Sequence, residues 1–249
     1  MDVGTGRPPG SPYTCTQPTV RALAFKIGAR FGQEACPTMA EDLPELPAEA
    51  FAKHDRDPDP LFYAQPRFVT HIDDAAIAAV TELYRAVVPA GGDVLDLMSS
   101  WVSHLPDEIA YASVTGHGLN AAELAANPRL TRSIVQDLNA APHLPLDTAS
   151  VDAALICVSV QYLQRPVAVL SDIARVLRPG APAVISFSNR RFPTKAVAIW
   201  NALDGAGHAQ LVGLYLQRAG FARIERHVLK PEGAAGDPMT AVIGWTAAA

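Results

Sequence analysis

Along the chain, the apolar positions Ile72, Ala76, Val80, Leu83 and Val87 recur every three or four residues, which predicts one helical face between Ile72 and Val88. Pro89 and the Gly91-Gly92 pair end it. Val94 to Leu97 reads as a short buried strand, Ile109 to Thr115 as a second and Thr131 to Val135 as a third. Between the last two, Asn120 and Glu123 form a capping-box pattern that starts a helix, and Pro128 ends it. Val151 to Val160 is almost continuously apolar, the mark of a strand covered on both faces at the centre of a parallel sheet. Val167, Leu170, Ala174 and Leu177 then mark a helix closed by Arg178-Pro179-Gly180, and Ala183 to Ser188 the next strand. A helix is expected over Thr194 to Ala219. After it, Phe221 to Leu229 and Met239 to Thr246 read as a terminal antiparallel hairpin. About seven strands alternating with helices predict a three-layer α/β sandwich with ligands at the carboxyl ends of the strands.

The N-terminal stretch breaks this rhythm. Ten of the 21 prolines fall in the first 66 residues, and proline removes backbone donors and fixes φ. We therefore divide the 249 residues into a Pro-rich arm, 1–47, and one domain, 48–249. A net charge of −5 gives no basic field for nucleic acid or an anionic membrane. No apolar run approaches the roughly 20 residues of a membrane helix, and no signal pattern opens the chain, so a cytoplasmic protein is expected. Cys15, Cys36 and Cys157 lack metal-ligand spacing, which predicts neither a disulfide scaffold nor a metal site.

Several segments, in order, carry a resemblance. Val94-Leu95-Asp96 ends the first strand; Val114-Thr115-Gly116-His117-Gly118-Leu119-Asn120 forms the second strand and turn. Asp137-Leu138-Asn139 with Leu144-Pro145-Leu146-Asp147 follows the third strand, and Val176-Leu177-Arg178-Pro179-Gly180 precedes the fifth. In this order the chain resembles a class I S-adenosylmethionine-dependent methyltransferase of the type 11 group, over roughly Ala48 to Thr246. The segment from Phe62 to Asp73 and the Ser99-Ser100-Trp101 turn resemble those of a subgroup. The resemblance implies a Rossmann-like sandwich with a seven-stranded, mostly parallel sheet, S-adenosylmethionine as cofactor and S-adenosylhomocysteine as product. Two departures from the pattern matter: Met98, Ser100 and Val102 stand where the family places glycines, and Gly118 stands where it often places an acid for the ribose.

By this resemblance, Asp96 receives the cofactor amine and Met98, Ser99 and Ser100 form its turn, the serine hydroxyls replacing part of a backbone cradle. Gly118, Leu119 and Asn120 line the ribose, with Asn120, His117 or backbone groups standing in for the acid. Asp137, Leu138 and Asn139 serve the adenine, Ser159 closes the fourth strand, and Tyr63 and Arg67 fold over the cofactor so that Arg67 clamps its carboxylate. His71, His104 and Tyr162 are the candidate bases, and Arg190 and Arg191 candidate contacts for an anionic acceptor. Ser159-Val160-Gln161-Tyr162 replaces the Asn-Pro-Pro-Tyr-like motif of amino-methylating enzymes. A small-molecule acceptor is expected, a thiol, sulfide or acidic hydroxyl rather than an amine, because such groups ionise nearest neutral pH. A monomer or homodimer is anticipated. The alternatives are a non-catalytic binding or regulatory subunit that has lost the glycine motif, and a redox enzyme on the same fold; the second lacks a Gly-x-Gly-x-x-Gly turn.

Overall fold

The computed structural model describes residues 43–249. A 3₁₀ turn at Ala48–Phe51 leads to helices α1 (Asp59–Phe62) and α2 (Asp74–Val87), then strand β1 (Asp93–Leu97). Strand β2 (Ser113–Gly118), helix α3 (Ala121–Ala126) and strands β3 (Arg132–Val135) and β4 (Ala153–Cys157) follow. The chain continues through α4 (Pro166–Val176), β5 (Pro182–Phe187), α5 (Ala198–Ala202), α6 (Gly205–Arg218), β6 (Arg223–Lys230) and β7 (Met239–Trp245). The seven strands form one sheet in the order β3-β2-β1-β4-β5-β7-β6, parallel from β3 to β5 and antiparallel where β7 joins β5 and β6. This is the expected mostly parallel sheet with its C-terminal hairpin. No described helix is long and apolar enough to cross a membrane.

Alternating strand residues build the two outer layers. Leu95, Leu97, Ile156 and Ile185 pack with Leu170 and Ile173 of α4 and Leu211 and Leu214 of α6. Val94, Leu155 and Val184 meet Ala76, Val80, Leu83 and Tyr84 of α2. A strand with both faces covered reads as continuous apolar sequence, which is why β4 was visible as the centre.

Four boundaries differ from expectation. The second strand is Ser113–Gly118 rather than Ile109 to Thr115, because Gly116 and Gly118 lie inside it as close-packing positions. A Cβ at Gly116 would meet the Leu130 side chain at 2.2 Å. The long helix after β5 is two helices, broken where the Asp204 side chain accepts the Gly207 N–H (2.8 Å) and starts α6. β4 ends at Cys157, followed by Val158 at φ 44°, a strained conformation for a β-branched residue, and a 3₁₀ turn at Val160–Tyr162. Leu43 and Leu46 are buried in the main core and Glu45 pairs with Arg218 at 3.0 Å, so the packed chain extends N-terminal of the boundary expected after Pro47.

Candidate active site

A cleft of about 360 Å³ opens at the carboxyl ends of the central strands. Parallel strands bring all their carboxyl ends to one edge, so residues far apart in sequence converge there. Asp96, Met98, Ser99, Ser100 and His104 line the cleft after β1; Gly118, Leu119 and Asn120 after β2; Asp137, Leu138 and Asn139 after β3; Ser159 and Tyr162 after β4; Arg190 and Arg191 after β5. Tyr63, Arg67 and His71 come from a strap, residues 63–71, that crosses from α1 to α2. Every candidate residue thus borders one space.

The turn after β1 is held by its hydroxyls. Ser99 donates to Asp96 Oδ2 at 2.6 Å, and Ser103 donates to the same oxygen. Burial raises the Asp96 carboxyl to about 6, and the two serine hydroxyls oppose that rise. Ser100 Oγ donates to Glu123 Oε2 at 2.6 Å. Both serines therefore direct their protons to protein carboxylates rather than into an open cradle. Met98 takes φ 51°, the left-handed conformation that glycine would enter without cost.

Asn120 is also committed. Its Oδ1 caps α3 by accepting the N–H groups of Ala122 (3.0 Å) and Glu123 (3.1 Å), and its Nδ2 donates to Tyr63 O at 2.8 Å. The capping box closes on one side only: the Glu123 carboxylate accepts from Arg67 N (2.6 Å) and Ser100 instead of returning to Asn120 N–H. Asn139 accepts Gln164 N–H and donates to Asp59 and Tyr162 O, so it shapes the loop after β3. His117 is buried with neither ring nitrogen partnered, and desolvation lowers its pKa to about 4.

The strap brings a cation among aromatic rings. The Arg67 guanidinium lies 4.5 Å from the Phe62 ring centre and 5.5 Å from that of Phe192. Its Nη2 donates to Phe62 O, while Nη1 is buried without a partner. Phe192 also packs against Tyr162 and His71 and donates its N–H to the Tyr162 hydroxyl at 2.9 Å. Burial lowers His71 and brings His104 to about 4, so both imidazoles are neutral at pH 7; burial raises the Tyr162 phenol. Arg190 pairs with Asp237 at 2.7 Å, and Arg191 donates to Asn201.

Sequence reading missed three parts of this wall. Phe192, Glu123 as a cleft carboxylate, and a buried ion network all depend on contacts between distant segments. In the network the fully buried Lys195 donates to Asp57 O (2.7 Å) and lies 3.2 Å from Asp55 and 3.6 Å from Asp59. Lys53 pairs closely with Asp59, which also accepts from Asn139. The network ties the segment before the sheet to the loop after β3.

The family described as "Methyltransferase domain" matches residues 99–185. Among solved structures, a S-adenosylmethionine-dependent methyltransferase from Aquifex aeolicus is 18% identical, with TM-score 0.51, over 77% of this chain and 99% of that one. A chain from the complex of the Haloferax volcanii Trm112 methyltransferase activator with a methyltransferase is 16% identical, with TM-score 0.53, over 70% and 91%. The Haemonchus contortus phosphoethanolamine N-methyltransferase 2, solved with S-adenosylmethionine, is 14% identical, with TM-score 0.50, over 68% and 52%. No curated protein sequence matches. Residues 99–185 are thus similar to a methyltransferase domain, and the chain shares the fold of these structures.

Proposed function

We propose that this cleft binds S-adenosylmethionine between the ends of β1 and β3 and methylates a small acceptor, a thiol, sulfide or acidic hydroxyl rather than an amine. The observation that carries the reading is that groups complementary to both ends of the cofactor face one cleft. Asp96 is a carboxylate suited to the ammonium, and Arg67 has a buried, unpartnered Nη1 suited to the carboxylate. Asp137 and the Leu138 N–H offer the acceptor and donor that an adenine edge requires. Met98, Ser99, Ser100, Gly118 and Leu119 form the wall between them, and Ser159 Oγ, buried without a partner, is a further free polar group.

When bound, S-adenosylmethionine supplies an electrophilic methyl group whose sulfur leaves as a neutral thioether. The chain's task is then to align the acceptor and exclude water, and orientation alone supplies roughly 7 to 11 kcal/mol of barrier reduction. His71 and His104, neutral at pH 7, can accept the proton of an ionisable S–H or O–H. Tyr162, whose phenol stays protonated, serves as a donor or a wall. Arg190 and Arg191 favour an acceptor bearing negative charge. An amine acceptor fits less well, since Arg191, whose side-chain partner Asn201 is neutral, would repel its ammonium form.

Calorimetry with S-adenosylmethionine and S-adenosylhomocysteine, beside NADH, tests the cofactor reading. Transfer of labelled methyl to a panel of small thiols, phenols, carboxylates and amines tests the acceptor class. Selective turnover of amines would overturn the acceptor reading, and binding with no turnover would favour the non-catalytic subunit.

A further inference from the structure

Gly118 ends β2 between Asp96 of β1 and Asp137 beyond β3, because the strand order at this edge is β3-β2-β1. On the cofactor reading above, from which this inference follows, the amine lies toward Asp96 and the adenine toward Asp137. The ribose then crosses the end of β2. A vicinal diol presents two O–H donors side by side, and a carboxylate accepts both. Position 118 has no room for one: a Cβ there would come within 2.6 Å of the Ser99 carbonyl oxygen, which is backbone and cannot swing aside.

Among the described residues, four carboxylates line the cleft: Asp59, Asp96, Glu123 and Asp137. Asp59 is neutralised by Lys53 and Lys195. Asp96 already accepts two serine hydroxyls at the amine end, and Asp137 stands at the adenine end. Glu123 lies in the first turn of α3, which directly follows β2, and is only 8% exposed. One of its oxygens takes the Arg67 N–H and the other the Ser100 hydroxyl, both at 2.6 Å. Two lone pairs per oxygen leave each able to accept once more, and the two protein donors fix the carboxylate's orientation.

We propose that Glu123 is the ribose-binding residue of this chain, supplying from helix α3 the acid that the end of β2 cannot carry. Gly118 and Ser100 then belong to one arrangement: the backbone of the serine turn fills the space above position 118, and Ser100 steadies the carboxylate that takes over.

The test compares S-adenosylhomocysteine with its analogue lacking both ribose hydroxyls, by calorimetry on the full chain. Wild type should prefer the hydroxylated ligand by about 10- to 100-fold, the effect of a charged hydrogen bond. Glu123→Gln should bring that preference below about threefold while leaving affinity for the dideoxy analogue within about threefold of wild type. Equal weakening of both ligands would make Glu123 a strap latch and overturn the proposal. Should Glu123→Gln fail to fold, Glu123→Asp, which keeps the charge but withdraws it by one methylene, should show the same loss of preference. Wild type that binds both ligands equally sinks this inference alone; wild type that binds neither sinks the cofactor reading with it.

Discussion

Ser99 Oγ donates to Asp96 Oδ2 at 2.6 Å, so the turn that lacks its expected glycines is fastened to the acid at the end of β1. The fastening only partly offsets the cost of burying that carboxylate, whose pKa lies near 6. Raised above its unfolded value, the group favours folding while protonated and loses that contribution as pH rises from 3.8 through about 6. If Asp96 receives the cofactor amine, affinity should fall as pH drops through 6. Asp96→Asn should weaken binding at pH 7.5 by about 10- to 100-fold, remove that pH dependence, and raise apo stability by up to about 3 kcal/mol. Calorimetry across pH 5 to 8, with denaturant melts of the apo protein, checks all three; unchanged affinity in the folded variant would remove Asp96 from the site.

The close approach of Gly118 to Ser99 leads to a packing prediction. Gly118→Ala forces the serine turn to move and should cost about 1 to 3 kcal/mol in denaturant unfolding. Gly118→Asp, which restores an acid at the strand end, should bind cofactor no better than wild type. A Gly118→Ala variant as stable as wild type would mean that the turn yields freely.

The sheet was legible because burial leaves a local signature: the apolar run at β4 stands at the centre, and the capping Asn120 starts α3 as expected. Asp96 and Asp137 could be located because strand ends in a parallel sheet share one edge. Glu123 could be read only as a capping residue, since its partner Arg67 N lies 56 residues away and no local spacing records that contact. Gly116 and Gly118 look like turn punctuation in sequence; inside β2 they answer to Leu130 and Ser99, which only the fold brings near. Lys195 likewise carries no mark of its complete burial among Asp55, Asp57 and Asp59.

Two histidines should make the protein acid-sensitive. His104 and His117 are lowered to about 4 by burial, so between pH 6.5 and 4 the unfolded chain binds protons that the folded chain does not. Stability from these groups is therefore lost as pH falls through that window, against the opposite trend of Asp96. His117→Leu should be favoured at pH 5 over pH 8 by about 2 kcal/mol relative to wild type. Parallel unfolding curves at the two pH values would show no such gap if His117 were instead protonated in the fold.

Leu43 and Leu46 belong to the packed chain. They are 2% and 5% exposed and pack in the main core. Burial of a leucine side chain stabilises by about 1.5 to 3 kcal/mol, so a chain beginning at Ala48 should be less stable than one beginning at Leu43 by about 3 to 6 kcal/mol. The melting temperature should differ by roughly 6 to 24 °C. In the full chain, Leu43→Ala and Leu46→Ala should each destabilise by about 2 to 5 kcal/mol, because a truncated side chain leaves a cavity that the surrounding β-sheet and helices cannot fully close. If the two truncations melt together and neither point variant is weaker than wild type, the core begins after Pro47.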